Sequence, residues 1–397
     1  MKFIYTSILL CFYCLTLNAQ IKHPLINKLI TDLETDSLLM HVNDLTGEKS
    51  CVVNGKVITI INRVSKTGND PAADYLKERM KSYGLTVNDQ KYSVGGRNII
   101  AEQTGELYPD KKYIICAHYD AVADYCADDN VSSCSAILEI ARLLSKHKFK
   151  YTIVYAFWDE EETGLYGSGF YAKQSKTQND KIMGVINIEM LGYDSNKDSK
   201  YDIHTNSSSL VLSNKVKELN STYNFTLKTN VINPGTDRSD HGSFWIQGFS
   251  AICFGEAFFS GDGNPSYHKS TDRLKLFNLP YYYELSRLSL ATIATFAEPF
   301  DVAGISNVNE QNRIKLETYP NPVKEALTIC YELPERTNLQ INIYSVVNGV
   351  YEKLLNETED AGTHQFVVNT SNMASGVYMI TVKTPAESFS KKIVLER

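Results

Sequence analysis

The sequence predicts an α/β fold, a three-layer αβα sandwich with a mainly parallel mixed sheet, followed by a small C-terminal all-β sandwich. Two observations carry this prediction. Up to Pro299, short apolar runs alternate with helical segments, which is the pattern of strands covered by helices on both faces. Beyond Pro299, helical spacing disappears and residues alternate as in half-buried strands. The chain has 397 residues, which is enough for two such domains.

The N-terminal run MKFIYTSILLCFYCLTLNAQ has a positive end, an apolar stretch and a small-residue cleavage site at Ala19. This pattern predicts a signal peptide at residues 1–19. The alternative, a membrane anchor, needs about 20 apolar residues. No other long apolar run follows, so we expect a mature protein without a transmembrane segment. The net charge of −6 gives no indication of a nucleic-acid partner.

The α/β domain is predicted at residues 20–300. A capping Asp70, Pro71 in the first turn and Gly84 at the end predict a helix over NDPAADYLKERMKSYG. Strands are predicted at RNIIAEQ, KYIICAHY, YTIVYAFW, KIMGVINIEML and GFSAICFGEA, and further helices at SAILEIARLLSKH, SLVLSNKVKELNSTYN and YYYELSRLSLATIATFAE. Ligands of such sheets gather beyond the carboxyl ends of the strands.

Residues 301–317 are predicted to form a linker, and residues 318–397 to form the all-β domain of about 80 residues. Its predicted strands include LQINIYSV, HQFVVNT, GVYMITVKT and SKKIVLE, separated by Gly, Asn and Pro.

Acidic and histidine side chains cluster where the predicted strands end. The stretch AHYDAVADYCADDN is one cluster, and FWDEEETGLYGS, INIEMLGYD, TDRSDHGSF and GNPSYHKSTD are the others. Each buried unpaired charge is strongly unfavourable, so these acids predict a bound cation. Imidazole and carboxylate donors suit zinc. The donors are too many for one tetrahedral ion, so two ions sharing a carboxylate fit better.

The ordered motifs resemble the secreted dizinc aminopeptidases of metallopeptidase family 28. The family pattern H-x-D, G-A-D-D-N-A-S-G, E-E-x-G-L-x-G-S, D-M, S-D-H and a late His is matched by HYD, CADDNVSS, EETGLYGS, EM, SDH and YH. The resemblance covers about Leu39 to Glu298 and implies a zinc-peptidase-like fold with two Zn²⁺ ions.

The resemblance implies a role for each matched residue. The implied metal ligands are His118, Asp129, Glu162, Glu189 and His268. Asp129 bridges the two ions, and the peptide bond after it is cis in the family. Glu161 is the implied general base, and Asp120 orients His118 as an outer partner. Tyr267 and Arg238 are implied to polarise the scissile carbonyl and to steady the oxyanion. Asp240 is implied to support the pocket from outside the ligand set, near His268.

Three positions depart from the family pattern. Glu189 stands where Asp is usual, and Cys126 and Ser133 replace two glycines of the metal loop. Cys126 and Cys134 flank that loop, so a disulfide is open, although buried thiols are the favoured interpretation, as for Cys116 and Cys253.

Other members of these motifs are interpreted without a catalytic role. Asp124 and Asp128 are interpreted as loop acids, and Asp159 and Glu160 as solvated or structural ones. His204 is interpreted as an ordinary histidine, while the role of His241 stays open.

The function predicted by this resemblance is a secreted zinc-dependent aminopeptidase that acts on peptides or proteins. Three alternatives stay open: a glutaminyl cyclase of the same fold with one zinc ion, a carboxypeptidase of the same family, and an inactive surface-binding protein. The motif EETGLYGS and the complete ligand set argue against the cyclase, and the retained Glu161 argues against the inactive protein.

The C-terminal motifs YPNPV, ASGVYMITV and SKKIVLER resemble the sorting domain of proteins exported by the type IX secretion route. The resemblance implies passage through the periplasm and outer membrane to the cell surface or the medium, with the type IX machinery as a partner. A carbohydrate- or surface-binding β-sandwich is the alternative.

Overall fold

The computed structural model describes residues 22–64, 68–300, 315–345, 351–384 and 388–396. The chain divides into two compact units, Met1–Asp301 and Val302–Arg397. The predicted signal peptide and most of the predicted linker lie outside the described residues. Among the described helices, none is both long enough and apolar enough to cross a membrane.

The first unit contains eight described α-helices and ten described strands. The helices are α1 (Pro24–Asp32), α2 (Thr35–Leu45), α3 (Asp70–Ser82), α4 (Ser133–Leu144), α5 (Tyr166–Gln178), α6 (Leu210–Thr222), α7 (His241–Ile246) and α8 (Leu279–Ala297). The strands are β1 (Cys51–Val53), β2 (Lys56–Ile58), β3 (Thr86–Lys91), β4 (Arg97–Gln103), β5 (Tyr108–His118), β6 (Tyr151–Trp158), β7 (Lys181–Glu189), β8 (Lys200–His204), β9 (Lys228–Ile232) and β10 (Ala251–Glu256).

An eight-stranded mixed sheet forms the centre of this unit, in the order β3-β4-β6-β5-β7-β10-β8-β9. Strands β6, β5, β7 and β10 are parallel to their neighbours at the centre, whereas β4 and β8 run antiparallel to this group. The central strands are apolar on both faces because both faces are covered. A separate hairpin, β1–β2, completes the unit.

Helices cover the two faces of the sheet and create two hydrophobic layers. Ile115 and Ala117 of β5 face the layer that contains residues of α1 to α4, α6 and α8. The alternate residues, Ile114 and Cys116, face the other layer, where Tyr171 of α5 and other residues of α5 and α7 pack. The predicted three-layer αβα architecture is therefore confirmed.

Most predicted elements of the first unit are present, with shifted ends. RNIIAEQ and YTIVYAFW coincide with β4 and β6. The helix at Asp70–Ser82 begins one residue earlier than predicted, and its N-cap is Asn69, so the capping role expected of Asp70 was wrong. Gly84 follows the helix with a φ of 79°, which suits a glycine at a helix end.

The second unit is a β-sandwich, as predicted. Its strands are β11 (Lys315–Tyr319), β12 (Ala326–Leu333), β13 (Thr337–Ser345), β14 (Tyr351–Glu359), β15 (Gly362–Asn369), β16 (Gly376–Lys383) and β17 (Ser388–Leu395). They form a three-stranded sheet, β11-β12-β15, and a four-stranded sheet, β14-β13-β16-β17. Ile329 of β12, Ile343 of β13 and Ile380 of β16 share one buried core, so the two sheets pack face to face.

Candidate metal centre and active site

Parallel strand ends bring the predicted site residues to one edge of the sheet. His118 is the last residue of β5 and pairs with Trp158, the last residue of β6. Glu189 ends β7 and lies beside Gly255 of β10. A Cβ at Gly255 would lie 1.6 Å from the carbonyl oxygen of Glu189, so glycine is required for this close approach.

Two groups of donor atoms meet at Asp129. His118 Nε2 lies 3.2 Å from Asp129 Oδ1 and 3.2 Å from Glu189 Oε1. His268 Nε2 lies 3.2 Å from Asp129 Oδ2 and 3.0 Å from Glu162 Oε2. The two carboxylate oxygens of Asp129 therefore face different histidines, each of which has a further carboxylate beside it.

The donor atoms have the spacing that zinc requires. Bonds of about 2.0–2.2 Å at tetrahedral angles place neighbouring donors about 3.3–3.6 Å apart, close to the distances above. Donor atoms of His118, Asp129 and Glu162 all lie within 4.8 Å of one another. The buried Oε1 of Glu162 has no hydrogen-bond partner among the described residues, which leaves a free acceptor at this position. The residues of this cluster therefore fit zinc.

The charges of the cluster favour a cation. Burial, with the Asp129 charge acting in the same direction, raises the pKa of Glu162 to about 7. Hydrogen bonds to Asp129 and Glu162 raise the pKa of His268 to about 10. Burial disfavours the charged form of His118, but Glu189 and other carboxylates hold its pKa well above the usual value. The raised pKa values of these three side chains show that the cluster favours positive charge, which divalent cations would supply.

The loop that carries Asp129 is held by backbone contacts. An irregular turn, Ala127–Ser132, contains Asp129, and the Asp129–Asn130 peptide bond is cis. Oδ2 of Asp272 accepts the N–H groups of Asp128 at 2.9 Å and Asp129 at 3.1 Å. The Asn130 side chain donates to the carbonyl of Ile188 and accepts from the N–H of Met190, which joins this loop to the end of β7.

Asp128 is a buried acid of this loop. It accepts the N–H of Gly192 at 2.8 Å and the side-chain amide of Asn264 at 3.1 Å. Asn264 also donates to Asp272 at 3.4 Å. Asp128, Asn264 and Asp272 thus connect three loops beneath Asp129. By contrast, Asp124 is an exposed loop acid, as predicted.

Asp120 links the two donor groups. Its fully buried carboxylate accepts the N–H of Glu161 at 3.1 Å and of Glu162 at 3.3 Å. Its Oδ1 also lies 3.5 Å from Nδ1 of His118, whose closer contact is the Asp120 carbonyl at 3.2 Å. One side chain therefore holds both the imidazole at the end of β5 and the turn after β6.

A small cavity beside the donor groups contains Glu161, Arg238 and Tyr267. We call it the inner pocket; its volume is ≈ 70 Å³. Burial raises the pKa of Glu161 well above its usual value, and the charges of Asp240 and Glu189 act in the same direction. The Tyr267 ring stacks on His268 with ring centres 3.7 Å apart. Arg238 is exposed and is the one arginine or lysine among the residues that line this pocket.

Asp240 is buried, and its charge interacts with the donor group of His118 and Glu189. Burial raises its pKa to about 7, and the charged groups that act on it most are His118 and Glu189. Its neighbour Ser239 donates a hydrogen bond of 2.6 Å to Oε2 of Glu189. This segment therefore supports the Glu189 side of the centre.

His204 and His241, for which the sequence alone predicts no role in the site, both contact Thr236 in the loop that carries Arg238. Nδ1 of His204 accepts the N–H of Thr236 at 3.2 Å. Nε2 of His241 lies 2.7 Å from the Thr236 carbonyl and donates to it. The N–H of Arg238 in turn donates to Oγ1 of Thr236 at 3.3 Å. We call these contacts the Thr236 clamp.

Among the described residues, the cysteines at the metal loop are buried free thiols and form no disulfide. Cys126 and Cys134 are free, and Cys134 donates to the carbonyl of His118 at 3.0 Å. Cys116 and Cys253 are also free and buried. The favoured interpretation of these residues is therefore confirmed.

Residues 98–293 match the model of Peptidase family M28, a range that includes all the predicted site residues. The chain contains a peptidase family M28 domain. Residues 317–396 match the secretion system C-terminal sorting domain, so the second unit carries this domain. Both predicted resemblances are confirmed.

Curated relatives of the M28 domain include two proteins described as probable zinc metalloproteases. The one from Pyrenophora teres f. teres is 31% identical over 153 residues, which cover 32% of this chain and 32% of that protein. The one from Pyrenophora tritici-repentis is 27% identical over 197 residues, covering 42% and 41%. The chain therefore matches 32–41% of the length of these relatives.

Solved structures share the fold of the M28 domain. The Legionella pneumophila LapA aminopeptidase has a TM-score of 0.62 and 23% identity, covering 70% of this chain and 76% of that one. An aminopeptidase from Aneurinibacillus sp. strain AM-1 has a TM-score of 0.56 and 15% identity, covering 72% and 98%. Porphyromonas gingivalis glutaminyl cyclase has a TM-score of 0.53 and 19% identity, covering 66% and 99%.

Proposed function

We propose that the M28 domain is a zinc-dependent aminopeptidase that binds two zinc ions through a shared Asp129. The observation that carries the proposal is the position of Asp129, whose two oxygens each lie 3.2 Å from a different histidine nitrogen. His118 and Glu189 would hold one ion with Asp129, and His268 and Glu162 would hold the other. The family match and the named zinc metalloproteases support the choice of metal.

Two zinc ions held in this way would lower the pKa of water and polarise the scissile carbonyl. Glu161 takes a proton from the attacking water and then passes it to the leaving amine. Burial raises the pKa of the Glu161 carboxyl above its usual value, so its carboxylate is a stronger base than an exposed one. Tyr267 and Arg238 steady the negative oxygen that forms on the substrate, and Asp120 keeps His118 and Glu161 in position.

The free N-terminus of the substrate supplies the specificity for exopeptidase cleavage. Its ammonium group finds negative charge at Glu161 and Glu189, both of which line the inner pocket. The first side chain of the substrate enters this pocket, where Phe258 and Phe259 provide apolar rings. Acetylated peptides should therefore not be cleaved, and equal cleavage of free and acetylated peptides would refute an aminopeptidase.

The similarity in fold to a glutaminyl cyclase makes cyclisation of N-terminal glutamine the second candidate. The two donor groups around Asp129 favour hydrolysis, since the cyclases of this fold use one zinc ion. Mass spectrometry of an N-terminal Gln peptide separates these possibilities, because hydrolysis releases glutamine whereas cyclisation loses ammonia from an intact peptide. Release of residues from the carboxyl end would instead indicate a carboxypeptidase.

The proposal is tested with Glu161→Gln and a panel of aminoacyl-nitroanilides. We expect zinc content to be retained and kcat to fall about 10²–10⁴-fold, the usual contribution of a general base. Asp124→Asn, an exposed acid that contacts Asn62, is the control and should keep its activity. Turnover should also stop with a chelator and return with zinc. Unchanged kcat in Glu161→Gln would show that another residue is the base.

We further propose that the protein is exported by the type IX machinery to the cell surface or the medium. The sorting domain indicates such a destination, and the predicted signal peptide provides entry to the periplasm. Deletion of residues 318–397 should retain the M28 domain in the periplasm of the producing cell. Normal export of the truncated protein would refute this route.

A further inference from the structure

A second cavity lies beside the turn that carries Glu161 and Glu162. We call it the aromatic groove; its volume is ≈ 600 Å³, and its lining includes Tyr92, Glu160, Tyr166, Phe170, Lys173 and Ile246. Glu160 directly precedes Glu161, and Tyr166 begins α5 four residues after Glu162. The groove thus borders the same turn as the donor groups but shares no lining residue with the inner pocket.

The two cavities adjoin the same turn, since Glu161 and Glu162 line the inner pocket whereas Glu160 and Gly164 line the aromatic groove. The inner pocket is lined by Cys253 of β10 and His204 of β8, which follow β7 in the sheet. The aromatic groove is lined by residues of α5, which follows β6, by Ile246 of α7, which precedes β10, and by Tyr92, which lies between β3 and β4. The groove therefore begins at the turn that carries Glu161 and is walled by α5 and α7.

The surface of the groove is apolar and exposed. Tyr166 is 58% exposed, Phe170 40% and Ile246 78%, which are high values for large hydrophobic residues of a folded unit. Tyr92 stacks on Phe170 with ring centres 5.4 Å apart, and its hydroxyl donates to Glu160 at 3.0 Å, so part of the wall is fixed in place. Grouped exposed rings of this kind mark binding sites.

We infer that the aromatic groove binds the residues of a peptide substrate downstream of the scissile bond. This inference rests on the proposed function: a substrate whose first side chain fills the inner pocket has its scissile bond beside Glu161, and the groove borders the turn that carries Glu161. The groove there offers rings and aliphatic carbons for apolar or aromatic side chains, and Lys173 for carbonyl oxygens or a terminal carboxylate. The preferred substrates are therefore peptides of three or more residues with apolar residues after the first.

The inference is tested by comparing two substrates that share the same first residue. One is the aminoacyl-nitroanilide, which has no downstream residues, and the other is a tetrapeptide with phenylalanine at its third position. Tyr166→Ser and Ile246→Ser remove exposed apolar surface of the groove. Val211→Ser is the matched control, because Val211 is 76% exposed on α6 and lies outside both linings.

We expect the ratio of kcat/KM for the tetrapeptide to that for the nitroanilide to fall about fivefold to tenfold in each groove variant, as for the loss of one large apolar contact. The control should keep the ratio of the unaltered protein. Equal ratios in all four proteins would overturn the groove assignment. Failure of the unaltered protein to cleave either substrate would instead overturn the aminopeptidase proposal.

A second measurement examines the groove without turnover. In a Glu161→Gln background, the intact tetrapeptide should bind about fivefold to tenfold more weakly when Ile246→Ser is added, as measured by calorimetry. The free first amino acid should show no such difference. Equal weakening of both ligands would indicate a general disturbance of the site and would contradict a separate downstream subsite.

Discussion

Substitution of Asp120 by alanine should weaken zinc binding without removing any ligand. Asp120 is fully buried, and its carboxylate accepts the N–H groups of Glu161 and Glu162 while it faces Nδ1 of His118. Alanine leaves both N–H groups without their acceptor and removes the carboxylate beside Nδ1 of His118, so that only the backbone carbonyl of residue 120 still holds the imidazole. His118 belongs to one donor group, and the turn with Glu162 belongs to the other. The substitution therefore disturbs the geometry of both groups.

The magnitude follows from the contacts that are lost. A hydrogen bond to a charged group contributes about 1.5–3 kcal/mol, and Asp120 accepts two of them. Loss of a partner that orients a ligand lowers metal affinity about 10–100-fold, or about 1.4–2.7 kcal/mol. The rest of the lost energy should appear as a lower free energy of unfolding, since two N–H groups stay buried without a partner.

Zinc affinity is measured by competition with a chromophoric chelator at fixed pH. Asp120→Ala should bind zinc about 10–100-fold more weakly than the unaltered protein, and Asp120→Asn, which keeps one acceptor, should lie between them. Asp124→Ala is the matched control, four residues along the chain at the surface. Zinc affinity within about threefold of the unaltered value in Asp120→Ala would refute the linking role of this side chain.

Two further predictions concern histidines. In the Thr236 clamp, an Asn side chain can replace the acceptor Nδ1 of His204, and a Gln side chain can replace the donor Nε2 of His241. His204→Asn and His241→Gln should therefore keep the slow amide hydrogen exchange of residues 233–240, whereas His204→Gln and His241→Asn should speed it. Equal exchange in all four variants would disprove the clamp. Burial lowers the pKa of His41 from 6.5 to about 3, so the unfolded chain binds a proton that the folded chain does not. The free energy of unfolding should therefore fall as pH decreases from 6.5 toward 3, by at most about 1.4 kcal/mol per pH unit. His41→Gln should lose this part of the slope in denaturant titrations, and parallel curves for the two proteins would contradict the assignment.

The sequence predicted the centre of the fold because the central strands are buried on both faces. YTIVYAFW carries no charged residue and is rich in β-branched and aromatic side chains, which is typical of a fully buried strand. The strands at the other edge, KYDIH and KTNVI, are short and carry polar residues, so β8 and β9 were missed. Helix α5, YGSGFYAKQSKTQ, has two glycines and few apolar residues, and its helical period was not recognised.

The candidate site was predictable where chemistry and motif order coincide, as in His118 and Asp129. The supporting contacts were not, because they join loops far apart in the chain. Asp272 accepts backbone N–H groups more than 140 positions away, and His204 accepts that of Thr236. Such contacts depend on backbone positions that single residue types do not reveal. The pair Asp128 and Asp272 was detectable only as acids beside metal motifs, a weak signal.

The position of bound zinc decides whether two ions share Asp129. Anomalous scattering measured at the zinc edge, on crystals of the zinc-loaded protein, locates each ion independently of activity. We expect two peaks about 3.5–4 Å apart, one beside His118 and Glu189, the other beside His268 and Glu162, with one oxygen of Asp129 directed at each. A single peak, or peaks away from Asp129, would contradict this expectation.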